Sequence, residues 1–254
     1  MMFQIAATTA FAAQIGTKAA FPNLNTHLHG LVNAYQHMRR HDDTHQYLEL
    51  FSLRCSDPPP KTITKTYPFH YIKRLPPDPS IVSGYFQSER YFKTCEKLVR
   101  QTFMPSARIL DEIRSKYGWL FQQYDQPLVS IHVRRGDYLA LPKHHPVLPT
   151  DYYEKAIRCL PDASAYVVFS DDIEWCKENL HGHRYQFIND KDYLELIMMS
   201  MCTHHIICNS SYSWWGAWLN TNRNKKIVAP KTWFGSAYWH IRTADIYTNE
   251  MIVI

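Results

Sequence analysis

From about residue 126 onward the chain repeats one unit, an apolar run of strand length followed by a polar break and a stretch with helical spacing. The runs are LVSIHV (128–133), AYVVFS (165–170), RYQFI (184–188), HIIC (205–208) and KIVAP (226–230). The stretches between them are TDYYEKAIRCL (150–160), IEWCKENL (173–180), DYLELIMMSM (192–201) and SWWGAWL (213–219). Thr150 is placed to N-cap the first of these helices and Asp172 the second. DYLELIMMSM is apolar nearly all round, as a buried helix is. Strands that alternate with helices give a parallel sheet with crossover helices, so the reading is α/β with a Rossmann-like domain.

The first half is less regular. Residues 3–15 and 88–101 read as helices, while 57–80 carries Pro58, Pro59, Pro60, Pro68, Pro76, Pro77 and Pro79 and cannot sustain regular structure for long. The expected division is a less regular N-terminal α/β domain over 1–125, forming a second wall to a cleft, and a Rossmann-like domain over 126–254. The break falls near Tyr124-Asp125-Gln126-Pro127.

The length of 254 residues buries a substantial core, and 45% hydrophobic against 20% charged residues argues for a folded chain over a disordered one. The formal charge of +5 is mild and no Lys/Arg run appears, which excludes a nucleic-acid partner and suits an anionic ligand in a local basic site. The cysteines, Cys55, Cys95, Cys159, Cys176, Cys202 and Cys208, form no C-x-x-C pair and read as reduced thiols. No apolar run has the roughly 18–20 residues a membrane span needs. The alanine-rich start lacks a basic leader and reads as a packed helix, with a signal peptide as the alternative.

Ligands of open parallel sheets bind outside the carboxyl ends of the strands. Three polar clusters follow strands here: Arg134-Arg135-Gly136-Asp137, Ser170-Asp171-Asp172 and Asn209-Ser210-Ser211. Arginines supply permanent charge and forked donors that match a diphosphate, Gly136 lets the backbone come close, and the serines precede a helix whose N-terminus adds N–H donors. A carboxylate of the middle cluster suits a base edge or a ribose. Taken singly, paired arginines after a strand are in about a third of cases only salt-bridge partners, and Ser-Asp-Asp or Asn-Ser-Ser is more often a helix cap than a ligand site; their convergence is what predicts a nucleotide-diphosphate site.

Rival patterns carry less. The Arg135-Gly136-Asp137 tripeptide follows a buried strand without the protruding loop that adhesion needs. Asp190-Lys191-Asp192 has the spacing of a divalent-metal motif, but Asp192 also opens a helix. His27, His29, His144-His145 and His204-His205 lack zinc-site spacing. Trp214, Trp215 and Trp218 lie at helical spacing and read as core, with one ring at a cleft edge as the alternative.

HVRRGDY (132–138) closely resembles the H-x-R-R-G-D-Y signature of the α-1,2-fucosyltransferases of glycosyltransferase family 11. FSDDIEWCKENL (169–180), NSSYSWWGAWL (209–219) and GYFQSERYF (84–92) resemble that family's other blocks in order. The resemblance implies a GT-B-like architecture and an inverting, metal-independent transfer of fucose from GDP-fucose to the 2-hydroxyl of a terminal galactose or similar sugar on a glycan. It implies that Arg134 and Arg135 hold the diphosphate, that His132 lies beside the guanine, that Asp171 or Asp172 contacts guanine or ribose, and that Ser210 and Ser211 meet the β-phosphate. Asp137 is the candidate to take the acceptor proton, with bracing of the arginines as its alternative role. No cofactor and no metal is expected.

Members of the family open with a strand and a G-G-L-G-N-Q-M-F-Q loop, whereas this chain starts within it at Met1-Met2-Phe3-Gln4. The expectation is an N-terminal domain that forms the acceptor side and is incomplete at its N-terminus. The alternative function is then an inactive relative that binds a GDP-sugar or glycan without turnover. A third reading is a transferase that uses a metal through Asp190 and Asp192. The expected location is the cytosol or the membrane periphery, an anchor lost by truncation being the alternative.

Overall fold

The computed structural model of the protein describes residues 1–21, 51, 63–77, 80–123, 127–182 and 184–254. These divide into two compact units. The first gathers the described residues up to Ser106 together with His240–Thr248, and the second gathers those from Ala107 to Trp239 with Asn249–Ile254. The expected break at 124–126 lies outside the described residues. The units part at Ser106, so the helix that precedes that break falls with the second.

In the first unit, helix α1 (Met2–Gln14) buries Phe3, Ile5, Ala10 and Phe11. The Phe11 ring sits 5.4 Å from that of Tyr67 and 5.9 Å from those of Phe86 and Tyr91, an aromatic cluster that replaces an extended sheet as the core. Strands β1 (Ile63–Thr66) and β2 (Ser80–Ser83) pair in parallel, an element the proline-rich stretch was not expected to hold. The helix expected over 88–101 is interrupted: Ser88 caps a 3-10 turn at Glu89–Tyr91, and Phe92, at φ −134°, breaks the run before a second turn and helix α2 (Glu96–Thr102). Asp245 ties the returning segment to this unit, accepting from Arg90 Nη1 at 2.8 Å and from the Tyr71 N–H at 3.1 Å.

The second unit opens with α3 (Ala107–Gln123), which buries Ile109, Ile113 and Leu120. Then follow β3 (Leu128–Val133), α4 (Gly136–Ala140), α5 (Thr150–Arg158), β4 (Ala165–Ser170), α6 (Ile173–Asn179) and β5 (Tyr185–Ile188). The chain continues through α7 (Asp192–Met201), β6 (His204–Ile206), α8 (Ser211–Leu219), β7 (Ile227–Ala229) and β8 (Met251–Val253). All six strands are parallel, in the order β5-β4-β3-β6-β7-β8. The α/β class and the Rossmann-like sheet expected from the alternation are thus observed. β3 and β4 are buried at every position, which explains their unbroken apolar sequence. Thr150 is the first residue of α5 rather than its cap, because Pro149 takes the N-cap position. Trp214, Trp215 and Trp218 are buried, as read.

Crossovers run to one side of β3 for β4 and β5, then return to its other side for β6, β7 and β8. The order therefore reverses between β3 and β6, and that switch point is where open α/β sheets leave a crevice at their carboxyl ends.

Candidate functional site

The three polar clusters follow β3, β4 and β6, which are neighbours in the sheet, so the topology brings them to one edge. Arg134 and Arg135 leave the end of β3 into α4. The Nε and Nη2 atoms of Arg134 both reach Asp137 Oδ1, at 2.9 and 2.8 Å, and its Nε also lies 3.2 Å from Asp171 Oδ2. Arg135 donates from its backbone N–H to Asp171 Oδ1 and from Nε to Asp172 Oδ2, each at 2.9 Å. Its guanidinium stacks 4.1 Å from the Trp175 ring centre.

Asp171 thus braces the turn that carries both arginines. Gly136 is required by the same packing, since a Cβ there would lie 2.6 Å from Asp171 Oδ2. That oxygen is buried and, among the described residues, lacks hydrogen-bond geometry to any group, its contact with Arg134 being an ion pair only. Asp172 has a second duty: its Oδ1 accepts the Trp175 N–H at 3.3 Å as the cap of α6, as its sequence position predicts. Burial alone lowers the pKa of Arg134, but the charges of Asp171 and Asp137 outweigh it and the net shift is upward.

At the end of β6, Ser210 N-caps α8 by accepting the Tyr212 N–H at 3.3 Å, and Ser211 is the exposed first residue of that helix. Asn209 does something the sequence did not suggest. Its Nδ2 donates to Pro146 O at 3.0 Å and to Trp233 O at 3.1 Å, while its own carbonyl accepts the Tyr138 hydroxyl at 3.0 Å. Asn209 therefore fastens two loops through its side-chain amide and α4 through its backbone carbonyl. The same loops pair directly, through Gly235 N–H to His144 O at 2.9 Å and Ala237 N–H to Lys143 O at 2.8 Å. The His145 ring stacks on Tyr138 at 4.9 Å.

His132, buried near the end of β3, has Nδ1 3.1 Å from Cys208 Sγ. Burial pushes the Cys208 thiol up to about 12, so it is a neutral thiol that meets the ring. Asp190 lies apart from these groups, accepting from Tyr117 Oη at 2.7 Å and Lys116 Nζ at 3.3 Å. Asp192 is the first residue of α7. Among the described residues no helix is long and apolar enough to cross a membrane.

The second unit is a parallel α/β nucleotide-fold unit with two braced arginines and a capped helix N-terminus at its switch point. The sequence profile of glycosyl transferase family 11 matches residues 72–254, and the chain belongs to that family. It is 42% identical over 131 residues to the O-antigen biosynthesis glycosyltransferase WbnK of Escherichia coli, covering 47% of this chain and 43% of that protein. It is 34% identical over 170 residues to an alpha-1,2-colitosyltransferase of Escherichia coli, covering 59% and 55%. To galactoside alpha-(1,2)-fucosyltransferase 1 of Homo sapiens it is 29% identical over 154 residues, covering 54% and 42%. The chain spans about half the length of the curated relatives it matches.

Proposed function

We propose that the chain transfers L-fucose from GDP-fucose to the 2-hydroxyl of a terminal galactose, or a similar sugar, on a glycan, with inversion and without a cofactor. The observation that carries this reading is the pair of braced guanidinium groups at the end of β3, one strand away from the N-terminus of α8. Family membership supports glycosyl transfer, and the relatives named above support an α-1,2 linkage.

In this reading Arg134 and Arg135 bind the diphosphate, while Ser210, Ser211 and the first N–H groups of α8 meet the β-phosphate. These donors are fixed before the bond breaks, so the charge that develops on departing GDP meets groups that need no reorganisation. His132 lies on the guanine side. Between the two middle carboxylates, Asp172 is the better placed for ribose or guanine, its side chain being 32% exposed against 13% for Asp171.

The test is turnover of GDP-fucose with lactose as acceptor, in EDTA, by the chain and by Arg135→Ala. The expected result is transfer that falls at least about 100-fold in the variant. GDP binding without transfer to any galactosyl acceptor would favour the inactive-relative reading, and loss of activity in EDTA would favour a metal-using one. A second sugar is favoured by one comparison, the 34% identity to an alpha-1,2-colitosyltransferase. Competition between fucose and colitose donors at equal concentration decides it, the preferred sugar being the one with the higher kcat/KM.

A further inference from the structure

Two guanidinium groups at the end of β3 face three carboxylates: Asp137 and Asp171 on Arg134, and Asp172 on Arg135. Such a cluster is not, as it stands, a good receptor for an anion. An arriving diphosphate meets donors that are already engaged and a local excess of negative charge, and like charges at a few ångströms repel. One carboxylate has to give way.

The three differ in what holds them. Asp171 is anchored by the Arg135 backbone N–H and sits against Gly136, where even a Cβ would not fit. Asp172 is anchored as the cap of α6. Asp137 belongs to the first turn of the five-residue α4, and both of its contacts with Arg134 fall on one oxygen, Oδ1. Neither the cap of α6 nor the brace on the β3 turn is made by it.

We propose that Asp137 is a latch on Arg134 that the donor's diphosphate opens, so that its carboxylate becomes available to the acceptor only once the donor is in place. This rests on the donor reading above. The step balances as follows: the freed carboxylate takes the proton of the acceptor hydroxyl, that oxygen bonds to the anomeric carbon of fucose, and the bond from that carbon to the diphosphate breaks, its electron pair leaving with GDP. A base masked until the donor binds imposes an order, donor first and acceptor second. It also couples two functions in one side chain with opposite signs, since Asp137 opposes donor binding and promotes transfer.

That opposition is what the experiment reads. GDP affinity is measured by calorimetry at neutral pH for the unaltered chain, Asp137→Asn and Arg134→Ala, alongside transfer rates and thermal unfolding. Asp137→Asn is expected to bind GDP about three- to tenfold more tightly, because one competing charge is gone, and to lose at least about 100-fold in kcat. Arg134→Ala is expected to weaken GDP. Weaker GDP binding by a folded Asp137→Asn would overturn the latch and make Asp137 a brace that orients Arg134. Tighter binding with kcat unchanged would overturn its part in proton transfer. Were Asp137→Asn to unfold, Asp137→Glu decides: a longer carboxylate still masks Arg134, so retained donor affinity with reduced kcat supports the latch, and lowered donor affinity with kcat unchanged opposes it. Failure of the unaltered chain to bind GDP at all would instead sink the donor reading itself.

Discussion

Gly136 shows how little room the site leaves. A methyl there would lie 2.6 Å from Asp171 Oδ2, and the same carboxylate holds the Arg135 N–H through its other oxygen. Gly136→Ala should therefore move the brace rather than merely crowd it. The expected outcome is a loss of about 1–3 kcal/mol in denaturant unfolding together with GDP affinity weakened by roughly tenfold in calorimetry. The arginines, the glycine and Asp137 were legible in the sequence because they follow a strand directly. The role of Asp171 as a brace was not, since Arg135 sits 36 residues away and only the pairing of β3 with β4 brings them together. The stacking of Trp175 and the loop-fastening role of Asn209, itself named in the third cluster, escaped for the same reason. An indole beneath a guanidinium and an amide between two loops leave no local pattern.

At the scale of elements, periodicity found the strand-helix alternation of the second half and missed both a long helix, α3, and a short strand, β8. α3 buries Ile109, Ile113 and Leu120, positions on one helical face, so a helical signal was present there and was passed over. β8 has three residues and follows an irregular segment, which leaves nothing for an alternation argument to grip. Packing between α7 and α8 is close enough to be tested. A Cβ on Gly216 of α8 would meet Met199 Cβ of α7 at 2.9 Å. Gly216→Ala should cost about 1–3 kcal/mol of stability in spite of the better helix propensity of alanine, and equilibrium unfolding reads the difference. Asn209 predicts a different kind of damage. Asn209→Leu removes both donors from the loops at Pro146 and Trp233, and hydrogen exchange in 142–149 and 233–239 should speed up before global stability changes much.

For the molecule as a whole, strand-helix alternation implied a parallel sheet and a division into two parts, whereas the strand order and the return of the 240–248 segment to the first unit were not legible. The segment His240–Thr248 rejoins the first unit through Asp245, a contact between residues far apart in sequence. Acid stability also belongs to this scale. His205 is fully buried, with Nδ1 2.8 Å from Ser130 Oγ and Nε2 2.8 Å from Asn220 Nδ2, an arrangement that joins β6, β3 and the end of α8 around a neutral ring. Burial, then the charge of Lys225, lowers its pKa from 6.5 to about 3. Below the ordinary value the unfolded chain binds a proton that the folded chain refuses. Stability contributed by His205 is therefore complete above about pH 6.5 and declines as the pH falls toward 3, by up to about 1.4 kcal/mol per pH unit. Denaturant midpoints measured from pH 7 to pH 4 should show that slope, and His205→Gln should flatten it.

The switch in strand order has a consequence for biosynthesis. β3 meets β4 soon after both are made, but its other edge is completed only by β6, whose Ser130 to His205 pairing spans 75 residues. At about 5–20 residues per second a ribosome needs roughly 4–15 s to deliver that partner. Through this interval LVSIHV presents a bare, apolar, unprotected edge, the kind of surface on which nascent chains join one another. Synonymous codons that slow translation across 134–203 would lengthen that exposure, and chaperone demand would rise with it, although the finished protein would have the same sequence and the same fold.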